Sequence, residues 1–123
     1  LLSLAKILKN KLMKKIILML IMFVCIGTIS AQNVYSVNNQ AFADVNVFVV
    51  NNQAFADLNV YKVNNQAFAG KNNGNWYFVN NQAFADKNIF FVNNQAFADL
   101  NIYFVNNQAF AGWRNNRKKH LMY

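Results

Sequence analysis

The sequence predicts an all-β fold of tandem short-strand repeats, on three observations. The heptad Val-Asn-Asn-Gln-Ala-Phe-Ala occurs six times, starting at Val37, Val50, Val63, Val79, Val92 and Val105, with spacings of 13, 13, 16, 13 and 13 residues. Each copy follows a short run of β-branched and aromatic residues, such as Asn59-Val60-Tyr61-Lys62 or Asn88-Ile89-Phe90-Phe91, the composition of a strand. No helical period follows Ala31. One such unit is too small to bury its own apolar face, so stability must come from the stacking of units.

The N-terminal part is of another kind. Lys6, Lys9, Lys11, Lys14 and Lys15 precede an apolar run from Ile16 to Ile29 that ends in Ile29-Ser30-Ala31. A basic start, an apolar stretch shorter than the about twenty residues of a membrane span, and small residues at the end read as a signal peptide. The expected division is residues 1–12 as the product of an upstream start, 13–31 as signal, and 32–123 as one β-repeat domain without a transmembrane anchor. Cys25 follows Met22-Phe23-Val24, which lacks the small residue expected before a lipidated cysteine. Cleavage before Gln32 would leave that residue open to cyclisation, in a secreted or periplasmic protein.

Residues 32–123 contain no cysteine, so no disulfide can supplement the core. Seven basic residues (Lys62, Lys71, Lys87, Arg114, Arg117, Lys118, Lys119) face Asp44, Asp57, Asp86 and Asp99, a net charge of +3. Shifting the chain by 42 residues superposes Asp44, Asp57 and Gly70 on Asp86, Asp99 and Gly112. The chain is therefore two pseudo-symmetric halves of three units, and a pseudo-two-fold is expected, with Asn72-Asn73-Gly74 turning between the halves. Within each unit the always-aromatic column Tyr35, Phe48, Tyr61, Tyr77, Phe90, Tyr103 and the following Val share a face, which is expected to be the core. The column between them, Ser36, Val49, Lys62, Phe78, Phe91 and Phe104, varies in type, which predicts partial exposure. Asn-Asn reads as a turn and Gln-Ala-Phe-Ala as a second short strand, closed by Asp or Gly.

These residues resemble the Septknot family of small exported bacterial proteins, built of a tandem unit of aromatic-x-Val, a polar turn, then Ala-Asp. The pattern is carried by Ala43-Asp44, Ala56-Asp57, Ala85-Asp86 and Ala98-Asp99, by Trp76-Tyr77-Phe78-Val79, and by the ending from Ala111 to Tyr123. The resemblance implies a compact all-β fold tied into a deep knot, and a family without an assigned activity.

Residues 32–123 hold one serine, Ser36, one histidine, His120, and no threonine, glutamate or cysteine. A nucleophile, base and carboxylate would have to be drawn from opposite ends of the chain, so no catalytic residue, metal ligand or cofactor site is assigned and the protein is read as no enzyme. The aspartate column could gather a cation or act on sugars if stacked on successive rungs, but Gly replaces it at Gly70 and Gly112, which favours a role in the turns. Trp113 and the basic run Arg114 to His120 read as a polar cap rather than a nucleic-acid site. The partner is left open. The expected function is an exported structural or binding module, monomeric. The alternative is an extracellular fibre or matrix subunit, favoured by the Asn, Gln and Phe content, and a cation- or carbohydrate-binding protein comes third.

Overall fold

A computed structural model of the protein describes residues 32–123; the expected leader, residues 1–31, lies outside the described residues. Six strands form a closed barrel: β1 (Asn33–Ser36), β2 (Val45–Val49), β3 (Leu58–Lys62), β4 (Asn75–Phe78), β5 (Lys87–Phe91) and β6 (Leu100–Phe104). Their order is β4-β1-β5-β2-β6-β3, and β3 pairs with β4 to close the ring. Every one of these pairings is parallel. A seventh, two-residue strand, β7 (Gly112–Trp113), runs antiparallel beside Leu58 and Asn59 of β3, alongside the part of β3 that β4 does not reach.

The two halves of the sequence interleave. Each strand of the first half is flanked by two strands of the second, so the chain circles the barrel and then circles it again through the gaps it left. The halves are related by one strand step around the barrel, not by the expected two-fold axis.

Parallel strands usually require a crossover of a dozen or more residues, yet only eight, Val37 to Asp44, join β1 to β2. The stagger explains this. Val34 lies opposite Lys87, where the repeat would place Ile89, and the same two-residue offset recurs at each pairing in the ring. Ser36, the last residue of β1, is thus level with Ile89, which is level with Val45, the first residue of β2. The connection only has to travel sideways across one intervening strand, about 10 Å at the usual spacing. Because the offset is even, every inward column stays inward around the ring.

The core is the column the sequence reading passed over. Val34, Val47, Val60, Trp76, Ile89 and Ile102 are completely buried inside the barrel, with Val45, Leu58 and Leu100 beneath them. Around the ring they run Trp76, Val34, Ile89, Val47, Ile102, Val60, so a large residue from the second half always stands beside a valine from the first. Alternation of large and small side chains is how the interior of a narrow barrel is filled. The aromatic column expected to be the core lies on the outer face, half-buried; the variable column shares the inner face but is partly exposed as expected, Ser36, Val49 and Lys62 being exposed and Phe78, Phe91 and Phe104 half-buried. Of that column, Phe78, Phe91 and Phe104 pack on the core at the barrel mouth. Both faces carry apolar residues at period two, which is why the alternation alone did not say which one turned inward.

Gln-Ala-Phe is not a strand. In all six units it forms a 3-10 turn, Gln40–Phe42 being the first, because the second Asn of the heptad caps it with its side-chain oxygen. Asn39 Oδ1 accepts from the Ala41 N–H at 3.0 Å, and the same bond recurs at Asn52, Asn65, Asn81, Asn94 and Asn107. A side chain that satisfies the N–H two residues on favours a turn over an extended ladder.

Candidate functional site

The six turns form the outer surface of the barrel, and each carries one exposed phenylalanine: Phe42, Phe55, Phe68, Phe84, Phe97 and Phe110, between 63% and 68% accessible. Nothing in the fold needs them there. The inside is already filled, and the turn conformation is held by Asn and by the Gln40 carbonyl, which accepts from the Ala43 N–H, as at each equivalent position. Large exposed apolar groups in repeated array are a mark of an interaction surface. Sequence reasoning missed these residues by placing Phe in a strand. The available signal was an invariant Phe held inside an otherwise polar, Asn-capped segment.

Beneath the turns, each Asn at the start of a strand faces an aromatic residue of the neighbouring strand: Asn33 with Tyr77, Tyr35 with Asn88, Asn46 with Phe90, Phe48 with Asn101, Asn59 with Tyr103, Tyr61 with Asn75. The side-chain oxygens of these six Asn are buried without a hydrogen-bond partner among the described residues.

The aspartates are committed to backbone. Asp44 Oδ2 accepts the Asn88 N–H at 2.8 Å while the Asp44 N–H donates to the Asn88 carbonyl, and the same reciprocal pair joins Asp57 to Asn101, Asp86 to Asn33 and Asp99 to Asn46. Each carboxylate thereby ties the end of a connection to the strand it has just crossed. The work is done by the carboxylate, which Gly70 and Gly112 lack, so the column is not chosen for backbone shape alone as the Gly replacement suggested. Among the described residues, no three His, Cys, Asp or Glu side chains come together as metal ligands would.

Ser36 and His120 are not brought together. Ser36 ends β1 at the barrel mouth, whereas His120 lies in the terminal 3-10 segment Asn116–Met122, which meets the start of β1 where the Gln32 amide donates to the Met122 carbonyl at 2.8 Å. That segment is more than the expected polar cap. Met122 is 1% exposed in the core cluster, Trp113 Nε1 donates to the Asn72 carbonyl, and Asn72 Nδ2 donates to the Lys119 carbonyl. Asp57 holds it further: its carbonyl accepts from Arg114 and Asn115, and its carboxylate meets Lys118 Nζ at 3.2 Å. One end of the barrel is thus plugged by the tail, leaving the other to Phe78, Phe91, Phe104 and Lys62. No helix among the described residues is long and apolar enough to cross a membrane.

Residues 31–114 match the family model Septknot, described as a 7(1) septoil knot domain. Searches of curated proteins and of solved structures return no match. Two interleaved circuits of one chain, each passing outside strands of the other, are the kind of path such a knot requires.

Proposed function

The chain belongs to the Septknot family, and from that premise we propose that it is an exported, non-enzymatic binding module whose interwoven barrel displays six copies of one turn for multivalent contact. The observation that carries this reading is the exposure of the six equivalent phenylalanines. Each stands among the uncharged amides of its Asn-Asn-Gln segment, which are exposed or nearly so. Apolar faces beside neutral hydrogen-bonding groups suit the surface of an extended glycan better than a charged or purely apolar one. Export is supported by the signal-like residues 13–31, and the absence of a paired nucleophile and base in the sequence of 32–123 supports a role in binding. Six weak contacts on a rigid frame add through effective concentration.

Retention of the protein on insoluble cellulose, chitin and peptidoglycan tests this, using variants with one, three or all six phenylalanines changed to Ser. At least one polymer is expected to retain the protein, with retention falling more steeply than in proportion to the number of substitutions while circular dichroism stays unchanged. Retention of the sixfold variant at the original level, or no retention by any polymer, would overturn the reading.

A further inference from the structure

One groove on the barrel differs from its repeats. At the end of β3 and β6 a cavity of about 330 Å³ is lined by Tyr61, Lys62, Phe104, Val105 and Asn106. A second, of about 240 Å³, shares Phe104, Val105 and Asn106 and adds Gln53, Tyr103, Asn107 and Phe110. The two cavities thus meet the same stretch, Phe104 to Asn106, one on the side of Lys62 and one on the side of the last turn, and are taken together as one groove. Its walls are aromatic rings and side-chain amides, with a single charge at one end.

That charge breaks the repeat. The positions equivalent to Lys62 are Ser36, Val49, Phe78, Phe91 and Phe104, none of them ionisable. The Lys62 ammonium lies 4.4 Å from the centre of the Phe104 ring and 5.2 Å from that of Phe78. The ring faces hold the cation in place. They leave it without a carboxylate, since among the described residues the ion pair is that of Lys118 with Asp57.

We propose that this groove binds one acidic oligosaccharide per chain, its carboxylate on Lys62. Aromatic rings take the apolar face of a pyranose, the amides of Gln53, Asn106 and Asn107 exchange hydrogen bonds with its hydroxyls, and the ammonium supplies a charge-assisted bond to a uronate. A hydrocarbon chain ending in a carboxylate would also find Lys62 and the rings, but it would desolvate three amides without returning a hydrogen bond. The amides therefore favour the sugar. The other five repeats, lacking the cation, would meet only neutral parts of the same polymer.

This assignment rests on the binding-module reading and names its ligand at one position. Titration calorimetry of the protein with trigalacturonate is expected to show one site, weakened about tenfold or more by Lys62→Ser and by Phe110→Ala, and weakened by added salt. Both substitutions are at exposed positions, so the fold is retained. Equal binding of the neutral trimer cellotriose, indifference to Lys62→Ser, or tighter binding of decanoate through Lys62 would overturn it. Failure of trigalacturonate to bind while insoluble glycans are still retained through the phenylalanines overturns this assignment alone; loss of both overturns the reading beneath it.

Discussion

Ile89 and Phe97 show how little residue type says about position in this chain. Ile89 has no exposed surface, whereas Phe97 is 67% exposed. Ile89→Ala is therefore expected to destabilise by about 2 to 5 kcal/mol, and Phe97→Ser to stay within about 0.5 kcal/mol, by chemical denaturation. Similar losses at the two sites would mean the faces are wrongly assigned. The aspartates separate in the same manner. Asp44 is exposed and serves one neighbouring N–H, while Asp57 is 9% exposed and holds Asn101, Asn115 and Lys118 together. Asp57→Ala is expected to cost about 2 to 3 kcal/mol against about 1 kcal/mol for Asp44→Ala, since only the former leaves several partners unpaired away from water. Gln32 carries a prediction about processing. Its side-chain nitrogen is held by Met122 inside the structure, and cyclisation would expel that nitrogen as ammonia. Mass spectrometry of the folded protein cleaved before Gln32 should find the residue uncyclised.

Among the elements, the turn is the one whose chemistry can be dissected by neighbours in the heptad. Asn94 caps the turn Gln95–Phe97 through its bond to Ala96, whereas Asn93 makes no such bond. Asn94→Ala should cost about 1 kcal/mol, in the range for a lost cap, and Asn93→Ala within about 0.5 kcal/mol. Thermal unfolding would decide; equal costs would show that the first Asn shapes the turn as well. The central turn has a different demand. Gly74 has φ +89, and a Cβ there would run into the Asn59 carbonyl oxygen, so any side chain forces β3 and β4 apart at the point where the barrel closes.

At the scale of the whole molecule, closure and interleaving have separate consequences. Closure leaves no long unpaired strand edge in the barrel, which removes the template that a cross-β fibre would extend. Sedimentation is expected to find a monomer at high concentration; fibrils of the intact protein would restore the matrix-fibre alternative. Removing residues 114–123 would not isolate an effect of their charge, because it also takes Met122 out of the core and uncovers the plugged end. Met122→Ala, expected to cost about 2 to 5 kcal/mol, separates the packing role from the charge. Interleaving makes every strand pairing in the ring non-local in sequence, except where β3 meets β4 across the central turn. Refolding after complete denaturation should therefore take seconds or longer, at the slow end for a chain of this size, and a stopped-flow phase in microseconds would contradict the threaded path.

What the sequence determined by itself is whatever repeats. Six units, two halves of three, the strand runs and the Asn-Asn turns are all legible in the heptad spacing and the 42-residue shift, because repeated residues impose repeated local structure. The tertiary structure decided the rest for reasons of register and closure. Val60 and Tyr61 are both good strand residues, and only the curvature of a closed ring, with room inside for valines beside Trp76, Ile89 and Ile102, turned Val60 inward and Tyr61 out. Eight-residue connections suggest neighbouring antiparallel strands, and only the two-residue stagger let them join parallel strands with another between. The groove beside Lys62 was illegible for the same reason: Gln53, Lys62 and Phe110 belong to three different repeats, and it is the second circuit of the chain passing through the first that brings each of them to the stretch Phe104 to Asn106.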